Sequence, residues 1–192
     1  MMISTRSLWW AAAAVLLFWA VGGYNRLVRM RNAIQQHYVA LDARLMQRND
    51  SVAALIAALP ARVEPSLVET LQAALGHSRA AREQARRTPC DAVAITNLGV
   101  TETVLADVQA RVARVLTGVG DALADSTLPT LVEQVAQAEA ALAYTRDDFN
   151  RAARAYNHAV RQFPTRLLAA VFGFAAGATL PALAGTLARP AA

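Results

Sequence analysis

Lysine is missing from the chain: all nineteen basic residues among the 192 are arginine, set against fourteen acidic ones for a formal charge of +5. Arginine-only usage fits genome base composition better than recognition chemistry, and the arginines are spread along the chain. Without a compact basic tract interleaved with aromatics, the sequence points away from a nucleic-acid partner. Cysteine occurs once, as Cys90 in the stretch TPCD, which excludes an intrachain disulfide. That thiol reads as incidental, with a redox or dimer-forming role as the sharper alternative, and it does not identify the compartment. Histidine occurs three times, as His37, His77 and His158, and no two stand at the i, i+4 spacing of a helical metal site. The carboxylates Asp42, Asp50, Glu139, Asp147 and Asp148 lack His partners and read as solvated charges or salt-bridge members. A carboxylate-bridged di-metal bundle would need Glu-x-x-His pairs. Glycine-rich phosphate loops, GxSxG, HExxH and CxxC are all absent from the sequence. The expectation is a protein with no enzymatic activity, no cofactor and no metal.

Only seven prolines and nine glycines punctuate the chain, mostly between long uninterrupted runs, and hydrophobic residues make up 55% of it. Alanine and leucine dominate those runs and lose little side-chain freedom in a helix. The fold class predicted is all-α: an N-terminal transmembrane helix continuing into a long antiparallel up-down four-helix bundle. In boundaries, residues 1–6 are a short tail, 7–25 the transmembrane anchor, 26–163 the bundle, and 164–192 an apolar C-terminal segment.

The anchor reading rests on SLWWAAAAVLLFWAVGGYN, which carries no charge between Arg6 and Arg26 and is long enough for a slightly short span. Trp9, Trp10, Trp19 and Tyr24 lie toward its ends, where amphipathic rings prefer the headgroup boundary. A cleaved signal peptide is the competing reading, since Ala20-Val21-Gly22 resembles a small-x-small cleavage site. One arginine precedes the apolar run, whereas Arg26, Arg29 and Arg31 crowd its far side and helical patterning continues through the supposed cut. The positive-inside rule then places the main domain in the cytoplasm.

Beyond the anchor, Leu27, Ile34, Tyr38, Leu41, Leu45, Val52, Leu55 and Leu59 form the seam of an amphipathic helix, interrupted by Arg31 and Arg48. Pro60 and Pro65 bracket a turn. A second run ends at Thr88-Pro89, a third closes near Gly118-Gly120, and Pro129 suits the first turn of a fourth. Short connections imply antiparallel neighbours, so the fourth helix returns to the height at which the first left the membrane. Arg26, Arg29 and Arg31 should therefore meet Arg154, Arg161 and Arg166 at the headgroups, either as ordinary interfacial anchors or as a lipid-selective surface.

Two features suggest assembly. Asn25 and Asn32 on the first helix, and Asn150 and Asn157 on the fourth, are each seven residues apart. Such spacing holds amides on one coiled-coil-like seam, where buried asparagines fix register; a binding groove lined by amides is the alternative. After Phe163-Pro164 no charge appears from Leu167 to Ala188, and Gly173, Gly177, Pro181 and Gly185 recur every four positions, a spacing that permits close helix packing in membranes. Membrane insertion, packing on the bundle or another subunit, and disorder all remain open for this tail.

The stretches YNRLVRMRN, ALDARLMQRND and AEAALAYTRDDFNRAARAYNHAVRQFPTRLLAAVFGF resemble the LemA family of bacterial membrane proteins over nearly the whole chain. Tyr156-Asn157, Phe163-Pro164 and Phe172-Gly173-Phe174 carry the most specific part of that resemblance. The chain departs from the family after Asp50, where SVAALIAAL replaces a Leu/Ile-Pro-Asn-Leu motif, and after Phe174, where relatives often carry charged residues and aromatics. The resemblance implies a single anchor followed by a long antiparallel bundle and implies no enzymatic activity; some relatives are associated with forming or maintaining bacterial membrane compartments. The function expected is a self-associating scaffold of the bacterial inner membrane, its partners the lipid bilayer and further copies of itself. The alternative is an adaptor that binds a membrane protease or another enzyme.

Overall fold

The computed structural model describes residues 5–59, 63–119 and 127–182. These residues form five helices in order: α1 (Thr5–Ala58), α2 (Pro65–Arg87), α3 (Ala92–Val119), α4 (Leu128–Arg161) and the short α5 (Thr165–Phe172). No strand occurs among the described residues. Pro60 and Gly120, two of the expected break points, lie outside them.

α1 is one unbroken helix of 54 residues, about 80 Å at the standard rise. Its N-terminal part is long and apolar enough to cross a membrane, with its most apolar window only 6% buried. From Leu27 onward the same helix turns one stripe inward, and Leu27, Ile34, Tyr38, Leu41, Leu45, Val52 and Leu55 are all buried. Local chemistry sets the other ends. Pro65 opens α2, where a missing N–H costs nothing. Thr88, preceding Pro89, is pushed out of the helical region, with φ −136° and ψ 65°. The Asp91 carboxylate then caps α3, its oxygens accepting from the Val93 and Ala94 amides at 3.3 and 3.2 Å.

α1 packs against α4 and α2, and α2 against α3. Tyr38 and Phe149, whose rings meet edge to face at 5.9 Å, set the height at which α1 and α4 pass each other. The core falls into two apolar clusters. One gathers Leu27 to Leu45 with Ile95, Leu98, Leu142, Phe149 and Tyr156; the other gathers Val52, Leu55, Leu71, Leu75, Leu105, Val112 and Val135.

Over its described residues, 164–182, the tail departs from a membrane-inserted helix. Helical structure stops at Phe172 because Gly173 takes the left-handed conformation, φ +69°, and both its amide and that of Phe174 point back to the Ala169 carbonyl. Glycine reaches that region without the penalty a Cβ incurs. Residues 174–182 are then non-helical and return along the bundle, with Leu180 buried in the first cluster. Gly173, Gly177 and Pro181 therefore share no helix face, and Gly185 lies outside the described residues.

Candidate functional site

Three groups of residues stand out between the exposed apolar end of α1 and the middle of the bundle.

At the base, α5 and the corner that follows it close over α1. Gly23 leaves room for Leu168, whose Cδ1 would lie 2.6 Å from any Cβ built there. Tyr24 sits between the two phenylalanines of the Phe-Gly-Phe corner, with ring centroids 5.0 Å from Phe172 and 5.6 Å from Phe174. The aromatic of YNRL and the corner of VFGF are thus one packing unit, separated in sequence but joined by the return of α4. Trp9, Trp10 and Trp19 are exposed along α1, and Arg26, Arg29, Arg31, Arg154, Arg161 and Arg166 are exposed around the base.

Above the base, Asn150 and Asn157 each grip one residue of the returning segment by both backbone groups. The Asn157 side chain donates to the Gly177 carbonyl at 2.7 Å and accepts from the Gly177 amide at 2.8 Å. Asn150 does the same to Leu180, with both distances 2.8 Å. Across from them, Gly99 of α3 admits Pro181, whose Cδ would be 2.8 Å from an added Cβ. The segment therefore runs as a strap between α3 and α4. This corrects the expected asparagine seam: Asn25 and Asn32 are exposed on α1, and Asn150 and Asn157 spend their amides on the strap instead of facing them. The physical reason is that an extended backbone has unpaired N–H and C=O groups that must be satisfied when buried, and a primary amide matches one of each.

Between the two apolar clusters lies a buried ionic layer to which all four long helices contribute. The Arg48 side chain, fully buried, donates to both oxygens of Glu102 at 2.6 and 2.7 Å and to Glu139 at 3.3 Å. Ser78 of α2 donates to Glu102 at 2.7 Å. Arg146, also buried, lines a small cavity with Glu102, Leu180 and Pro181. Arg48 thus bridges carboxylates from two different helices. Glu139 is a member of an ion pair rather than a solvated charge, and Asp42 likewise pairs with Arg82 at 2.8 Å. The signal for this layer was in the sequence. Arg48, Ser78 and Glu102 interrupt buried stripes that are otherwise mostly apolar, and of the three only Arg48 breaks a seam evident from the sequence.

A cleft of about 330 Å³ opens beside the strap, lined among others by Arg31, Gln35, Arg87, Thr88, Cys90 and Tyr156. Burial raises the Cys90 thiol above its usual range although Arg31 opposes the shift, so the thiolate is disfavoured. Burial, the largest cause, also raises the Tyr156 hydroxyl. Tyr38 is raised more strongly, by burial first and then by Asp42, and it donates to the Arg82 carbonyl at 3.1 Å. His37, His77 and His158 are exposed on separate helices. Among the described residues no three His, Cys, Asp or Glu side chains converge.

A membrane-length helix that becomes one wall of a helical bundle, closed by a C-terminal strap, defines an all-α protein with a protruding apolar end. The chain belongs to the LemA family, whose sequence profile matches residues 37–190. That match begins beyond the exposed apolar part of α1 and takes in the ionic layer, the paired asparagines and the Phe-Gly-Phe corner. No curated protein and no solved structure is significantly similar to the chain.

Proposed function

We propose that the protein is a non-enzymatic scaffold of the bacterial inner membrane. Residues 7–25 of α1 span the bilayer, the bundle stands in the cytoplasm, and copies associate side by side to shape or organise the membrane. The observation that carries this reading is the continuity of α1: the exposed apolar helix enters the bundle core without a break, so the domain is mounted stiffly on its anchor instead of hanging from a linker. Arg26, Arg29, Arg31, Arg161 and Arg166, exposed around the same end, suit an anionic leaflet, where each basic residue contributes about 1 kcal/mol. No role for nucleic acid is included.

Gly173 and Gly177 of the glycine repeat, and Asn150 and Asn157 of the asparagine pairs, which point to self-association in the sequence, are used within the chain. Support for association comes instead from α3, where Val93, Val100 and Val104 are exposed at 71%, 58% and 49%. Spaced by seven and four residues, they form one apolar stripe. Replacing Val100 and Val104 together by glutamate is expected to convert detergent-solubilised oligomers to monomers in light scattering, with the helical content kept. A wild-type protein that is already monomeric at micromolar concentration would contradict self-association. The same stripe favours the adaptor as the second reading; one dominant enzyme co-purifying with the wild type and lost in the double variant would select it.

A further inference from the structure

α5 rests on α1 where the exposed apolar part of α1 gives way to its buried stripe. Leu168 lies on Gly23, while Phe172, one turn further along α5, packs on Tyr24.

The two faces of α5 differ. Leu168 and Ala169 are buried against the bundle, whereas Leu167, Val171 and Phe172 are 53%, 78% and 55% exposed. Phe163, just before the helix, adds a ring exposed at 73%, with the Arg166 guanidinium 6.0 Å from its centroid. Arg161 and Arg166 flank this apolar face. Large side chains clustered outward on so short a helix form a patch of the kind that marks a contact surface.

We propose that α5 lies at the membrane surface, with Phe163, Leu167 and Val171 dipping into the boundary between headgroups and acyl chains. This rests on the reading of α1 as a membrane anchor. Lipid is the occupant because the patch sits beside Gly23 and Tyr24, at the end of the run of exposed apolar side chains on α1. Apolar side chains outward with flanking arginines are the pattern of an interfacial helix. Among the described residues of the C-terminal region, membrane contact is then confined to α5, since the strap turns back at Gly173. Two attachments, one spanning and one lateral, fix the rotation of the bundle about its anchor.

The test uses the full chain with Cys90→Ser and a single cysteine replacing Val15, Val93 or Val171, each carrying an environment-sensitive fluorophore. The protein is reconstituted into phosphatidylethanolamine–phosphatidylglycerol vesicles with doxyl quenchers placed either near the headgroup or deep in the acyl chain. The label at 171 is expected to be quenched several-fold more by the shallow probe than by the deep one, the label at 15 more by the deep probe, and the label at 93 by neither. A label at 171 that behaves like the one at 93, while 15 is quenched, overturns the proposal and leaves the anchor standing. A label at 15 untouched by either probe removes the anchor reading, and the proposal with it. Val171 is among the most exposed side chains, so its replacement leaves packing intact.

Discussion

Arg48 has none of its side chain exposed and holds Glu102 and Glu139 inside the bundle. Burying charges incurs a desolvation cost that good geometry only roughly offsets, and well-packed apolar residues in their place are often as stable or more so. The layer therefore contributes little net stability and is better understood as a register device: only one relative height of α1, α2, α3 and α4 brings Arg48, Ser78, Glu102 and Glu139 together. Removing one partner is a different matter, because Glu102 would remain buried without its cation. Arg48→Met is expected to lower unfolding stability by about 3–5 kcal/mol in urea titrations of the full chain in detergent. Adding Glu102→Leu should recover most of that loss. A double variant no more stable than the single would contradict the coupling. At this scale the sequence was partly legible: Arg48 stood out as an interruption of the α1 seam, but a lone sequence does not say which carboxylate across the fold meets it.

The elements themselves were easier to read. Proline placement, the Thr88-Pro89 break and the alternation of leucines and valines locate α2, α3 and α4, because those signals act within a few residues. The strap was not legible for the opposite reason. Its 174–182 backbone is held by side chains up to thirty residues away, and an apolar, charge-free segment looks the same whether it enters lipid or a groove between helices. The spacing of Asn150 and Asn157 marks them in the sequence, yet their partner is the strap backbone and not another helix. Replacing Asn150 by leucine leaves the Leu180 amide and carbonyl buried and unpaired, a loss of about 1–3 kcal/mol. Hydrogen exchange should then show lost protection confined to 174–182, with amides in α1 and α4 still protected. Unchanged protection at Leu180 would mean that the strap is held by packing alone.

At the scale of the whole molecule, one helix belongs to two environments. The first part of α1 exposes Trp9, Trp10, Val15, Leu16, Leu17 and Phe18 at 64% or more. The remainder buries its stripe against α2 and α4. Surface that apolar is unfavourable in water by roughly 25 cal/mol per Å², so a bilayer is the solvent that suits it. Sidedness is the part of the account that tests it most directly, through single cysteines in a Cys90→Ser background probed with a membrane-impermeant thiol reagent in intact cells. One cysteine replaces Thr5, at the start of α1, and the other replaces His77, exposed on α2. Labelling at 5 but not at 77 is the predicted result, with the bundle in the cytoplasm behind a single span. Labelling at 77 but not at 5 would keep the span and reverse its sidedness; equal labelling at both positions would contradict a membrane-spanning α1.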